Sequence, residues 1–161
     1  MTEILLNNFY CVLCMMACVW LASLFLRDVS LVDRFWGMGF VVVAISTFYH
    51  DGQSNIRALL LLVMTLVWGL RLSIFLTKRN WGKGEDARYV QIRQHQGKHF
   101  PFLSLFSVFG LQAFLCCVVA LPIQIGISQT GPEQLNLWDI LGLTFWSIGF
   151  IFESIADRQL T

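Results

Sequence analysis

Apolar residues run through this chain in five long stretches, and most of the charges collect between them. The first stretch, about residues 4–26, contains no Asp, Glu, Lys or Arg. The others cover about 31–49, 56–77, 102–127 and 137–156, each near the roughly 20 residues a helix needs to cross a hydrocarbon layer. Local signals sharpen several ends. Asn55 stands where it can cap the third helix, and Asn136 with Asp139 three residues later forms a cap with an acid in the first turn. Pro101 suits the start of the fourth stretch, whereas Pro122 bends or weakens its last turns. The second stretch opens on Asp33 and Arg34, which places its beginning at lipid headgroups or inside protein. The expected fold is all-α: a polytopic bundle of five membrane helices forming one domain over residues 1–161.

Composition agrees with this pattern. Of 161 residues, 57% are hydrophobic and 13% charged, with a mean hydropathy of +0.66, far from the average of soluble domains. The first stretch lacks a basic leader and a small-residue cleavage pattern, so it is read as a retained span. The net charge of +1 says little, but its distribution is asymmetric. With the N-terminus outside, Arg27, Arg34, Lys78, Arg79, Lys83, Arg88, Arg93, Lys98 and Arg158 all fall on the cytoplasmic side, and Arg57 alone falls outside. An integral protein of a bacterial inner membrane with a cytoplasmic C-terminus is expected. The lipid bilayer is its first partner.

Candidate chemistry is sparse. Cys11, Cys14, Cys18, Cys116 and Cys117 read as small apolar packing groups, and His50, His95 and His99 share no ligand spacing, so no metal is expected. No phosphate-cradling glycine motif is present, and nothing points to nucleic acid. The charge-dense stretch "NWGKGEDARY" at 80–89 is more informative. Its lysines fit anionic lipid and topology, while Glu85, Asp86, Arg88 and Tyr89 beside Gly82 and Gly84 fit a surface for a phosphorylated or carboxylated ligand; both readings stand. Arg71, inside the third stretch, is either an intramembrane functional cation or a snorkelling side chain. Glu153 and Asp157, four apart, share one helical face. Unpaired in lipid these charges are costly, so Asp33, Arg34, Arg71, Glu153 and Asp157 are expected to meet in a shared cavity near the cytoplasmic boundary, as a site or as a structural ion-pair network.

Four blocks carry a family resemblance: "SLVDRFWGMGFV", "WGLRLSIFLTKRNWGKGEDARY", "FPFLSLFSVFGLQAFL" and "FIFESIADRQL". In this order, from about Ser30 onward, they resemble the bacterial membrane family DUF1295, a relative of the steroid 5-alpha-reductases. The resemblance implies a membrane oxidoreductase that uses NADPH to reduce a conjugated carbon-carbon double bond in a hydrophobic, steroid-like or lipid-like enone. It places Asp157 and Glu153 on the cofactor side; the charges themselves make Arg71 and Arg88 further cofactor-binding candidates. The reductases place a catalytic Glu in an early span and a Tyr in the next; the second and third spans here offer no intramembrane Glu, and Asp33, Glu85 and Tyr89 are the nearest substitutes. It implies too that relatives continue past Thr161 through helices with an Arg-His-Pro-Asn-Tyr type motif. On that reading this chain is the N-terminal part of a larger reductase fold, a truncated or split product that is inactive alone and completed by a separately encoded C-terminal half. The rival reading is a non-enzymatic membrane scaffold. A small transporter is disfavoured, because neither inverted repeats nor interrupted midplane helices are visible.

Overall fold

The computed structural model describes residues 1–51, 55–129 and 134–159, and every regular element among them is helical. In chain order these are α1 (Thr2–Leu26), α2 (Leu31–Asp51), α3 (Ile56–Asn80), α4 (Ala87–Gln96), α5 (Phe100–Ser104), α6 (Leu111–Val119), α7 (Leu121–Ser128) and α8 (Leu137–Gln159). A 3-10 turn at Gly97–His99 joins α4 to α5, and a π turn at Leu105–Gly110 joins α5 to α6. Five helical segments are long and apolar enough to cross a membrane. The protein is a polytopic integral membrane bundle.

The ends of the helices follow from their capping chemistry. Asn55 Oδ1 accepts from the Ala58 N–H at 2.7 Å. Asn136 Oδ1 accepts from the N–H groups of Trp138 and Asp139, and Asp139 Oδ2 accepts in return from the Asn136 N–H at 2.7 Å. Such reciprocal bonds satisfy donors that the first turn leaves free. Between α1 and α2 the chain turns at Arg27, the one non-glycine described residue with positive φ (53°). Asp28 then accepts from the Ser30 N–H at 3.0 Å.

The fourth crossing departs from the single helix expected over 102–127. It begins at Phe100, passes through the π turn, and stops at Val119, with Ala120 at φ −79°, ψ −2° before α7 resumes. Pro122 has no N–H to donate and its ring crowds the preceding turn, so the ladder breaks there. Gln124 repairs the break: its Nε2 donates to the Cys117 carbonyl at 3.0 Å.

The bundle is built around α2, which packs against α1, α3, α6 and α7. Half of its most apolar stretch is buried, against none of α8's. The main core joins Val12, Met16, Phe40, Val43, Phe109 and Ala113. At the α2–α3 crossing the two backbones nearly touch, because a Cβ on Gly37 would lie 2.4 Å from the Gly69 carbonyl oxygen. Gly39 leaves a similar notch that the Cys116 sulfur fills. Chain direction brings Arg34, Lys78, Lys83, Arg88 and Arg93 to one end of the bundle, called the basic end below. At the opposite end Arg57 Nε donates to Asp139 Oδ2 at 2.9 Å, tying α3 to α8. Trp81 and Trp138, exposed by 78% and 77%, mark the two ends, as interfacial tryptophans do.

Candidate functional site

The intramembrane charges of α3 and α8 meet directly. Arg71 Nη1 donates to Glu153 Oε1 at 2.7 Å, and Nη2 bonds Asp157 Oδ2. Spacing of four residues puts both carboxylates on one face of α8, one turn apart, where a single guanidinium can fork between them. Glu153 accepts a second bond from Trp68 Nε1 at 2.9 Å. Arg71 therefore turns sideways onto α8 instead of stretching toward the basic end. Its guanidinium also lies 5.8 Å from the ring centre of Phe75 and 5.7 Å from that of Phe150, within cation–π range. Beside this group is a cleft of about 340 Å³ lined by Trp68, Trp146, Gly149, Phe150 and Glu153. Trp146 and Phe150 stack with centroids 5.0 Å apart, and a Cβ on Gly149 would meet nothing within 4 Å. The cleft has volume for a flat ring, with aromatic side chains along its lining.

A second group forms at the basic end, where the chain returns from α3. Gly82 and Gly84 adopt φ of +73° and +75°, a region closed to most L-residues, and fold residues 81–86 back on the α1–α2 turn. Glu85 anchors that fold. Its Oε1 accepts from the Val29 N–H at 2.8 Å and from Arg93 Nη2 at 2.7 Å, and its Oε2 accepts from Arg93 Nε at 2.9 Å. Burial works against the Glu85 charge, but the bonds from Arg93 and Val29 outweigh it and hold the carboxyl below its ordinary value. Asp86 caps α4 by accepting from the Arg88 N–H at 2.9 Å, and its side-chain bond to Arg88 lowers its titration as well. Arg88 reaches across to Asp33 at 2.9 Å, and the buried Tyr89 donates its phenol proton to Asp33 Oδ1 at 2.9 Å. Arg34 turns instead to Asp28, at 2.7 Å.

The five charges expected to share one cavity thus fall into three sets of contacts, Arg34 going to Asp28. Arg71 meets Glu153 and Asp157; Asp33 meets Arg88 and Tyr89; no hydrogen bond or ion pair joins Asp33 to Arg71. The reason lies in depth along the helices. Asp33 sits in the first turn of α2 at the basic end, whereas Arg71 lies more than two turns before the end of α3, about 13 Å inward at 1.5 Å per residue.

Two participants were not singled out in the sequence. Trp68 is one of six tryptophans in the chain, and only the fold aims its N–H at Glu153. The other is an amide cluster between α1, α2 and α7. Asn8 Nδ2 donates to Thr47 Oγ1 and to Gln124 Oε1, both at 2.8 Å, with Asn8, Thr47 and Gln124 all buried. A signal existed: amides in otherwise apolar stretches need partners.

Residues 19–161 match the family described as "Protein of unknown function (DUF1295)". No curated protein matches the chain, and no solved structure does.

Proposed function

The chain belongs to the DUF1295 family, and from that premise we propose that it serves a membrane oxidoreductase that reduces the conjugated double bond of a steroid-like or lipid-like enone with NADPH. The observation that carries this reading is the Tyr89–Asp33 hydrogen bond beside Arg88. Reduction of an enone adds hydride at the β carbon, negative charge gathers on the carbonyl oxygen, and a proton from water then adds at the α carbon. A positioned hydroxyl donor lowers the barrier by meeting that charge. Tyr89 is such a donor when its hydroxyl turns from Asp33 to the substrate oxygen, with Arg88, 5.6 Å from the centre of its ring, keeping the ring in place. Glu85, fully engaged by Arg93 and Val29, acts as a positioning residue for the same loop.

The cleft between α3 and α8 fits the ring end of a nucleotide. Its aromatic walls and the open face at Gly149 suit a flat ring, and the half-exposed Glu153 suits a ribose hydroxyl. When bound, NADPH would supply the hydride, with its nicotinamide beside the substrate held at Tyr89 and not in this cleft. Asp157 keeps Arg71, and through it Glu153, in register. The phosphates would fall to cations outside this cleft, because Arg71 is already shared by two carboxylates. Further helices from a separately encoded second half belong to the proposal, supported by α8, none of whose residues is buried. The basic end is assigned to the cytoplasm of a bacterial cell, where NADPH is available.

The test is NADPH oxidation with enone substrates, run on the chain in lipid nanodiscs with and without co-expressed candidate partner helices. Tyr89→Phe and Asp33→Asn are expected to lower turnover by about a hundredfold while NADPH binding persists. Asp157→Ala is expected to weaken NADPH binding far more than Lys83→Ala does. Absence of both turnover and NADPH binding under every condition would leave the scaffold reading in place.

A further inference from the structure

South of the Gly37–Gly69 contact, toward the basic end, α2 and α3 diverge and open a groove of about 460 Å³. Its walls are apolar: Phe35 and Met38 on α2, and Leu70 and Ile74 on α3. Phe35, Leu70 and Ile74 are each more than a third exposed. At the mouth stand Arg34, Lys78 and Trp81. Leu70, Ile74 and Lys78 follow at intervals of four, so the α3 wall runs straight from hydrocarbon depth to the cation over about 12 Å.

Three polar groups of this groove lack a hydrogen bond or ion pair among the described residues: Ser73 Oγ, Arg34 Nε and the Lys78 ammonium. Ser73, 8% exposed, has a buried Oγ without a hydrogen bond, and so does the buried Nε of Arg34. The Arg34 fork reaches Asp28 through Nη2 only. Lys78 is exposed and has no ion pair among the described residues, whereas Arg88 and Arg93 are both occupied by carboxylates. Buried donors without partners are uncommon and call for one. An occupant must therefore offer an acyl chain to the apolar walls and an anionic oxygen to the mouth.

We propose that this groove is a binding site for one anionic phospholipid, its chain lying along Phe35, Met38, Leu70 and Ile74 and its phosphate at Lys78 and the exposed part of the Arg34 guanidinium. The charge complement selects it over a zwitterionic lipid, whose choline would face the same cations. A free anion would leave the apolar walls uncovered. The inference is independent of the reductase reading, because none of these residues belongs to the contacts assigned to that chemistry.

Native mass spectrometry of the detergent-solubilised full chain tests it, with phosphatidylglycerol, phosphatidylcholine and inorganic phosphate titrated separately. Phosphatidylglycerol is expected to bind as a single equivalent, about fivefold more tightly than phosphatidylcholine, since one lysine near a headgroup contributes about that factor. Lys78→Ala should remove the preference. Thr77→Phe, which fills the groove, should weaken both lipids, and Lys83→Ala on the neighbouring exposed loop should change neither. Equal losses for Lys78→Ala and Lys83→Ala would show diffuse surface attraction and overturn the proposal. So would equal affinities for the two lipids, or inorganic phosphate binding that Thr77→Phe leaves intact. Should Thr77→Phe fail to fold, the Lys78→Ala and Lys83→Ala comparison decides alone.

Discussion

Arg71 shows how one residue's surroundings set its energetics. In an apolar layer its guanidinium is tolerable only because Glu153 and Asp157 share it and Trp68 satisfies a remaining Glu153 oxygen. Removing one partner of such a group leaves charge unpaired, which costs about 3–5 kcal/mol. Arg71→Leu should therefore lower stability by about that amount in detergent unfolding. Adding Glu153→Gln and Asp157→Asn to it should recover most of the loss. Glu85 is the counterpart outside the membrane. Its folded carboxyl titrates below its ordinary value, so its contribution is complete above the unfolded value and disappears as pH falls through the folded one. Thermal unfolding of Glu85→Gln should fall short of the wild type at neutral pH, and the gap should close as the solution is acidified through the carboxylate range.

At the scale of elements, glycines of similar appearance do opposite things. Gly37 and Gly69 allow α2 and α3 to approach until a Cβ on either would lie 2.4–2.6 Å from the other's carbonyl oxygen. Gly142 sits in mid-helix with nothing within 4 Å. Gly37→Val should destabilise by about 1–3 kcal/mol, because the backbones must separate. Gly142→Ala should be neutral or stabilising by up to about 1 kcal/mol, because it adds helix propensity without a clash. Thermal shifts of the two variants against wild type check the contrast. The glycine count in the sequence does not separate these cases. Facing partners do.

The whole molecule divides into a tight part and a loose one. Helices α1, α2, α3, α6 and α7 share buried side chains, whereas α8 rests on α3 and is held at both ends by ion pairs, Arg57–Asp139 and Arg71 with its two acids. Its long exposed face carries Phe145 and Phe152 at 72% and 76% exposure, suitable for lipid or for further helices. The assigned orientation makes a prediction at this scale. In a cysteine-free background, Lys83→Cys should react with a membrane-impermeant maleimide only after the cytoplasmic side is opened, and Gln134→Cys should react in intact cells. The reverse pattern would invert the topology.

Much of this architecture was legible from the residues alone. The five crossings, the Asn55 and Asn136 caps and the weak point at Pro122 depend on local rules: hydropathy over a membrane's thickness, hydrogen-bond acceptors at a helix start, and a missing N–H. The shared face of Glu153 and Asp157 follows from helical period in the same way. What the period leaves open is which neighbour that face meets. Only tertiary packing brought Arg71 and Trp68 to those acids, put Tyr89 on Asp33, closed Gly37 on Gly69, and split the polar residues into two depths where one cavity was expected. Those outcomes turn on rotations and offsets between helices, set by interlocking side chains far apart in the chain, and no local pattern encodes them.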